Sequence, residues 1–237
     1  MLHPLYSLKE EVENLFIRFG FKEVEGYEIV DRYENFEFLS FHPFHLSIEE
    51  RNAFILKNGK LLRTHTSSMQ YKMMRSFSPP FKLFSSGRVF RKELSGIHRY
   101  VFEQIEGLWM DTTLTFKGLL NFLNVFIKKL IKVEKIVFMP AYYPYAHPGF
   151  KIVSFCPVCK GKGCRLCKHT GFLEIMGAGM VSKNILEKAD IDSNIWKGFA
   201  FGIDLQAISV FKFRLEKIDT FLRNNYFTFK NFKKYVV

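Results

Sequence analysis

The sequence has no cysteine outside residues 156–167, and all four of its cysteines fall inside that short stretch. Proteins built on disulfides spread their cysteines along the chain, so this arrangement excludes a disulfide scaffold and favours metal binding in a reducing compartment. No apolar run approaches the roughly 20 residues needed to cross a bilayer. The opening residues show no secretory leader pattern. We therefore expect a cytoplasmic protein with no membrane partner.

Acidic residues are fewer than basic ones. The chain has 23 Asp and Glu and 35 Lys and Arg, which gives a formal net charge of +12. Such an excess favours phosphate-rich partners. The last quarter of the chain is notably basic, and an ordinary solvated face explains it as well as nucleic-acid contact does. Composition leaves both interpretations open.

Hydrophobic periodicity predicts the secondary structure. The predicted helices cover 8–19, 67–74, 115–131 and 203–213. The predicted strands cover 21–30, 81–91, 100–110, 135–140, 172–176 and 199–201, with a hairpin over 51–62 that turns at Asn58-Gly59. Strands joined mostly by loops favour an antiparallel sheet, so the expected fold class is α+β.

The run from Gly87 to Gly107 holds the most informative pattern. Arg91 and Glu93 lie two residues apart, so both point to the same face of an extended strand, and Glu106 lies on the returning strand. An arginine fork binds phosphate through two parallel hydrogen bonds, and nearby carboxylates hold Mg²⁺ or an amino group. A single Arg-x-Glu is common on surface strands, so its meaning depends on the surrounding sequence.

The cysteines form two Cys-x-x-Cys pairs, and they present four thiolates that can close a tetrahedron around Zn²⁺: Cys156, Cys159, Cys164 and Cys167. Pro157, Gly161 and Gly163 favour the tight turns that such a site needs. Reduced or disulfide-linked hairpins and an iron–sulfur site are the alternatives. Four protein ligands leave no open position, so a zinc ion here would be structural, with His169 as a surface or neighbouring residue.

These residues resemble the alpha subunit of phenylalanyl-tRNA synthetases, which are class II aminoacyl-tRNA synthetases. The runs 87–93 and 102–107 are similar to the second signature motif of that class. Residues 63–67 with Gln70 are similar to the subunit's substrate loop, and matches in order also occur at 3–4, 33–36, 177–181 and 198–202. The resemblance implies one catalytic domain over 1–237, with an antiparallel sheet flanked by helices. It also implies a zinc-knuckle insertion at 154–171 and the absence of the N-terminal coiled coil that grips tRNA.

The resemblance also implies site residues, with ATP as substrate, Mg²⁺ and a structural Zn²⁺. Arg91 would contact the α-phosphate, with Glu93 as the second catalytic residue. The amino acid or its adenylate would be held by His65, Ser67, Gln70, Gln104 and Glu106. Tyr143 and Tyr145 stand where the family places two phenylalanines that wall the side-chain pocket, and the small residues Ala200 and Gly202 leave room for the substrate ring. A packed aromatic strand is the other interpretation of the two tyrosines.

The implied partners are phenylalanine or a related amino acid, tRNA, and a second subunit in a dimer or in a hetero-oligomer with a beta-type subunit. The implied function is ATP-dependent activation of phenylalanine and its transfer to tRNA.

Several positions depart from the family pattern. Gln206 and Ala207 replace a Glu-Arg pair whose arginine binds the γ-phosphate, Glu103 replaces a histidine, and His147 replaces a glutamate. Alanine cannot contact phosphate, and glutamine is a poor ligand for a hard cation. These departures keep two alternatives open. One is a catalytically impaired paralogue that binds an amino acid, a nucleotide or tRNA, and the other is an activating enzyme with a non-tRNA acceptor.

Overall fold

A computed structural model of the chain describes residues 3–42, 52–92, 97, 99–133 and 135–222. Within these ranges the helices are α1 (Pro4–Arg18), α2 (Met69–Ser76), α3 (Phe116–Leu130), α4 (Lys183–Lys188), α5 (Leu205–Phe213) and α6 (Ile218–Leu222). A π-helical turn covers Tyr33–Glu37 and a 3-10 turn covers Thr66–Ser68. All four predicted helices are present. None of the described helices is long and apolar enough to span a membrane.

The strands are β1 (Lys22–Glu23), β2 (Ile29–Val30), β3 (Leu61–Leu62), β4 (Phe81–Phe90), β5 (Val101–Asp111), β6 (Val137–Pro140), β7 (Ala146–Phe155), β8 (Phe172–Val181) and β9 (Lys197–Asp204). Seven of them form one sheet in the order β1-β4-β5-β9-β8-β7-β6, and β2 pairs with β3 separately. Every pair in the large sheet is antiparallel except β1 with β4. The predicted antiparallel sheet is confirmed, with this one parallel edge strand as the difference.

One face of the sheet is covered by α1, α3 and α5, whose apolar residues join those of the strands in the main core. Phe16 of α1 lies at its centre and stacks on Phe84 of β4 at 5.0 Å and on Phe201 of β9 at 5.5 Å between ring centroids. Phe84 and Phe201 are both register partners of Gly107 on β5. Because side chains alternate along a strand, residues 106 and 202 must face the opposite side of the sheet.

Two strand predictions were wrong in detail. The predicted strand 21–30 is two short strands in different sheets, separated at Gly26, where a Cβ would come within 2.5 Å of Arg63 Nη1. Strand β7 was not predicted, since Pro148 and Gly149 lower strand propensity near its start. Helix α1 begins at Pro4, four residues before the predicted start at residue 8. The reason is that His3 Nδ1 accepts the Leu5 N–H at 3.1 Å and Pro4 suits the first helical position.

Arg63 is the largest fully buried side chain, and it ties the segment after β3 to strand β4. Its Nε donates to the Arg88 carbonyl at 2.8 Å, and Nη2 donates to the Ser86 carbonyl at 3.4 Å. Gly87 lies between those two carbonyls with a φ of +137°, and a Cβ there would overlap Arg63 Nη2. Only glycine satisfies both conditions at this position.

Gly87→Ala is therefore expected to lower the free energy of unfolding by roughly 3 kcal/mol, through left-handed strain and loss of the Arg63 hydrogen bonds. Gly59→Ala is the matched control, because Gly59 has a φ of +81° and no atom within 4 Å of its Cβ position. The control should cost about 1 kcal/mol from strain alone. Urea unfolding of both variants measures the difference, and equal losses would contradict a packing role for Gly87.

Candidate active site

The open face of the sheet carries a row of residues that lie side by side on four neighbouring strands. Strand register joins Glu106 of β5 to Gly202 of β9, then Gly177 of β8, then Lys151 of β7. Two residues further along the strands, and so on the same face, Ala200 pairs with Gly179. The middle of this face therefore has almost no side-chain volume.

A cavity of about 830 Å³ occupies this space. Its floor includes Glu106, Ala200, Gly202, Gly177 and Gly179, and its walls include Tyr143, Tyr145, His65, Ser67 and Gln104. Eight of the nine predicted substrate-binding residues thus line one cavity, and the ninth, Gln70, reaches it through a hydrogen bond to Glu106. Small residues open the space, and polar groups converge at one end of it.

Glu106 is a buried carboxylate, 7% exposed, on the floor of the cavity. Ser67 Oγ donates to its Oε2 at 2.5 Å, and Gln70 Nε2 donates to its Oε1. Burial raises the pKa of Glu106, and the hydrogen bonds from Ser67 and Gln70 oppose that rise. Among the described residues no cation pairs with it, and Gln70 Oε1 has no hydrogen-bond partner. A fixed carboxylate beside a spare carbonyl oxygen suits an ammonium group as ligand.

The substrate loop of residues 63–67 lies beside Glu106. The Thr66 N–H donates to Gln104 Oε1 at 3.4 Å, and the His65 ring stacks on Phe41 with centroids 5.6 Å apart. Gln104 is two residues from Glu106 on β5, so both side chains face the cavity. The loop and the strand together build one polar end of the site.

Tyr143 and Tyr145 form the aromatic wall, with ring centroids 5.7 Å apart and an interplanar angle of 30°. The Tyr143 ring lies over two glycines, since a Cβ on Gly149 would come within 2.9 Å of the ring and one on Gly177 within 2.6 Å of the hydroxyl oxygen. Burial raises the pKa of both phenols, so they stay neutral near pH 7. Both rings line the cavity, as expected for pocket walls.

Arg91 lines the cavity just beyond the end of β4. Its Nε donates to the Thr64 carbonyl at 2.8 Å, and its guanidinium lies 5.0 Å from the centre of the Phe102 ring. These two contacts fix the direction of the guanidinium, as a phosphate-binding fork requires. Glu93, the other predicted catalytic residue, lies outside the described residues.

The start of α5 carries the departures from the family pattern. Ala207 lines the cavity, whereas the amide oxygen of Gln206 accepts the Glu103 N–H at 3.0 Å. Asp204, which the sequence analysis missed, also lines the cavity and caps α5 by accepting the N–H groups of Gln206 and Ala207 at 2.8 and 3.1 Å. An aspartate directly before an apolar helical run was the available signal.

Two other charged residues near this helix point elsewhere. Lys212 on α5 pairs with Glu11 of α1, and Glu103 pairs with Lys9 of α1 at 3.8 Å. The described part of α5 therefore places no cation in the cavity. His147 is exposed on β7.

The four cysteines converge between β7 and β8, with their sulfur atoms all within 4.8 Å of one another. Three of the sulfur separations are 3.9, 3.8 and 3.7 Å. A tetrahedral zinc with Zn–S bonds of about 2.3 Å needs separations of about 3.8 Å. Backbone N–H groups of Gly163 and Cys164 donate to the sulfurs of Cys159 and Cys167, both at 3.2 Å, and hold these two sulfurs in place. The residues present fit a structural zinc ion.

Strand register, the cavity and the motif positions define a class II synthetase core, and comparison with known proteins agrees. The family of class II tRNA synthetase core domains (F) matches residues 1–232, and the chain belongs to this family. The fold is also similar to the pyrrolysyl-tRNA synthetase of Desulfitobacterium hafniense, with a TM-score of 0.71, 16% identity, and coverage of 94% of this chain and 74% of that one.

Within the family, the curated relatives are phenylalanine–tRNA ligase alpha subunits. The protein from Staphylococcus haemolyticus is 39% identical over 235 residues, which cover 98% of this chain and 67% of that protein. The protein from Alcanivorax borkumensis is 36% identical over 226 residues, which cover 94% of this chain and 67% of that protein. The chain thus spans about two thirds of the length of these relatives.

Proposed function

We propose that the chain activates phenylalanine with ATP and transfers it to tRNA, as an alpha-type subunit. The observation that carries this proposal is Glu106, a buried carboxylate held by Ser67 and Gln70 at the end of a cavity whose floor is glycine and alanine. The carboxylate recognises an amino group, and the space beside it accepts an aromatic side chain. Tyr143 and Tyr145 supply the ring surfaces against which that side chain would pack.

In this proposal, different residues of the cavity bind the ammonium group, the ring and the α-phosphate. With its ammonium group on Glu106 and its ring toward the tyrosines, phenylalanine directs its carboxylate toward the end of the cavity where Arg91 lies. Attack of a carboxylate oxygen on the α-phosphorus of ATP forms the adenylate and releases pyrophosphate. Arg91 would bind the α-phosphate, and its guanidinium is already fixed by Thr64 and Phe102. Mg²⁺ would neutralise phosphate charge during this step.

The same proposal assigns partners and cofactors. The relatives' designation as alpha subunits points to a beta-type subunit as partner, and tRNA is the acceptor. Zn²⁺ on the four cysteines would stabilise an insertion within one catalytic domain. The grouping of reduced cysteines fits a cytoplasmic location.

A second candidate is a catalytically impaired paralogue that binds an amino acid or a nucleotide. Gln206 and Ala207 favour it, because the first is turned to the Glu103 backbone and the second carries no charge. The absence of a preorganised cation opposite a phosphate costs several kcal/mol of transition-state stabilisation.

Charging of tRNA with labelled phenylalanine, by the chain with and without a beta-type subunit, separates the candidates. The proposal expects acid-precipitable label that depends on ATP and on tRNA. Adenylate formation without label on tRNA would indicate a non-tRNA acceptor instead. Phenylalanine binding without adenylate formation would support the impaired paralogue.

Ala207→Arg is expected to raise kcat for ATP–pyrophosphate exchange about tenfold or more, because it returns a guanidinium to the cavity at the start of α5. Ala207→Met is the matched control, since it adds similar length without charge. Steady-state exchange at varied ATP concentration measures both variants. An equal change in both would mean that bulk, and not charge, is responsible.

A further inference from the structure

The cations that line the cavity are unevenly placed. Among the residues that the structure describes, they are Arg91, Lys151 and Lys168. Arg91 lies next to β4 at one side, and helix α5 contributes Ala207 where a γ-phosphate cation would be expected. The charge for the terminal phosphates must therefore come from one of the two lysines or from a residue outside the described ranges.

Strand register places Lys151 and Lys168 at different positions along the cavity. Lys151 pairs with Gly177, which is level with Gly202 and Glu106 at the amino-acid end. Lys168 precedes β8, and Met176 of β8 is level with Ile203, the second-last residue of β9. The first residues of β8 and the segment before them therefore extend past β9 toward the start of α5. Of the two lysines, Lys151 is therefore level with Glu106, and Lys168 belongs to the segment on the α5 side of the cavity.

Lys168 belongs to the segment that holds the four cysteines. In that segment, Lys160 occupies the equivalent position after the first Cys-x-x-Cys pair. Lys160 and Lys168 each follow the second cysteine of a Cys-x-x-Cys pair, with φ values of +52° and +51°, and both are exposed. Only Lys168 lines the cavity. Leu166 and Cys167, directly before Lys168, are buried at 8% and 3% exposure and line the cavity too, whereas none of residues 156–160 lines it.

We propose that Lys168 binds the terminal phosphates of ATP and replaces the cation that α5 lacks. This inference rests on the proposed use of ATP. A lysine ammonium is a compact charge on a flexible stem, so it reaches a phosphate without the fixed geometry of an arginine fork. No ion pair of the Lys168 side chain occurs among the described residues. Besides Glu106, two carboxylates line the same cavity, Asp204 and Glu174, and Asp204 Oδ1 is engaged in capping α5.

Calorimetric titration of the full chain with Mg·ATP and with AMP tests the role of Lys168, with the beta-type subunit present where it co-purifies. Lys168→Gln is expected to weaken Mg·ATP binding about tenfold and to leave AMP binding unchanged, because AMP lacks the terminal phosphates. Lys168→Arg should stay within about threefold of the original affinity. Lys160→Gln is the matched control and should change neither affinity. Zinc content near that of the unsubstituted chain confirms that each knuckle is folded.

Three outcomes of the titrations would overturn the inference: an equal loss of ATP and AMP affinity in Lys168→Gln, an equal loss of ATP affinity in Lys160→Gln, or no nucleotide binding by the unsubstituted chain. Phenylalanine-dependent exchange that Lys168→Gln leaves unchanged would overturn the inference and leave the proposed function standing. A selective loss of Mg·ATP affinity without any phenylalanine-dependent exchange would support Lys168 and reject the proposed function.

Discussion

Glu106→Gln is expected to lower kcat/KM for phenylalanine in ATP–pyrophosphate exchange by at least about 100-fold, because an amide cannot neutralise the ammonium of the bound amino acid. The substitution keeps the shape of the side chain, but its NH2 group cannot accept, so one of the two hydrogen bonds reverses and the Ser67 hydroxyl or Gln70 Oε1 accepts instead. The loss should fall mainly on phenylalanine affinity and little on ATP affinity. Exchange at varied phenylalanine and fixed ATP measures it.

Glu103→Gln is the matched control for Glu106→Gln, because Glu103 is on the same strand but pairs with Lys9 of α1, away from the cavity. It should leave the phenylalanine KM unchanged. A tenfold or larger loss in the control, or a loss below threefold in Glu106→Gln, would contradict the assignment of Glu106 to the amino group.

The stability of Glu106→Gln supplies a second check on the same variant. Because burial raises the pKa of Glu106, the folded state holds this proton more tightly than the unfolded state does. The contribution of the group to stability is therefore fully present below the unfolded pKa and is lost as pH rises through the folded pKa. Glu106→Gln removes this loss, so its melting temperature near pH 7 should equal or exceed that of the unsubstituted chain.

Cys156→Ser is expected to lower bound zinc from about one ion per chain to less than a tenth and to destabilise the fold by several kcal/mol. Cys156 is fully buried within the main core, so loss of the metal disturbs the sheet as well as the knuckle. Leu166 and Cys167 line the cavity, and phenylalanine affinity should therefore fall with zinc content. Elemental analysis, thermal unfolding and calorimetric titration with phenylalanine measure the three effects.

Lys162→Gln is the control for Cys156→Ser, because Lys162 is exposed in the same segment and is not a ligand. It should retain zinc and melt like the unsubstituted chain. Removal of zinc by a chelator should reproduce the Cys156→Ser melting curve. A chain purified without chelators that carries no metal and melts unchanged after Cys156→Ser would contradict a structural zinc site.

The sequence alone revealed those parts of the site whose residues lie close together in the chain. The cysteine spacing alone indicated a metal site, whereas the family resemblance assigned Gln104 and Glu106 to the amino acid. The contact between Ser67 and Glu106 spans 39 residues. Spacing alone does not predict such a contact, and only the family resemblance connected the two residues.

The parts that sequence reasoning missed depend on tertiary packing. Strand β7 was hidden because Pro148 and Gly149 interrupt the apolar pattern, although pairing with β6 and β8 holds them in a strand. The burial of Arg63 follows from carbonyl partners 25 and 23 residues away in sequence, whereas the cap by Asp204 is local and was missed although an aspartate before an apolar helical run signals it. That Lys168 and not Lys160 lines the cavity depends on which knuckle borders the cavity, and a repeated Cys-x-x-Cys pattern does not specify this.

Phenylalanine-dependent ATP–pyrophosphate exchange, measured on the full chain with a beta-type subunit, tests the central claim most directly. We expect exchange that saturates with phenylalanine and requires Mg²⁺, with kcat/KM for phenylalanine at least about 100-fold lower in Glu106→Gln and unchanged in Glu103→Gln. Absence of exchange at saturating ATP and phenylalanine, with phenylalanine binding retained by calorimetry, would contradict the claim and leave a binding module.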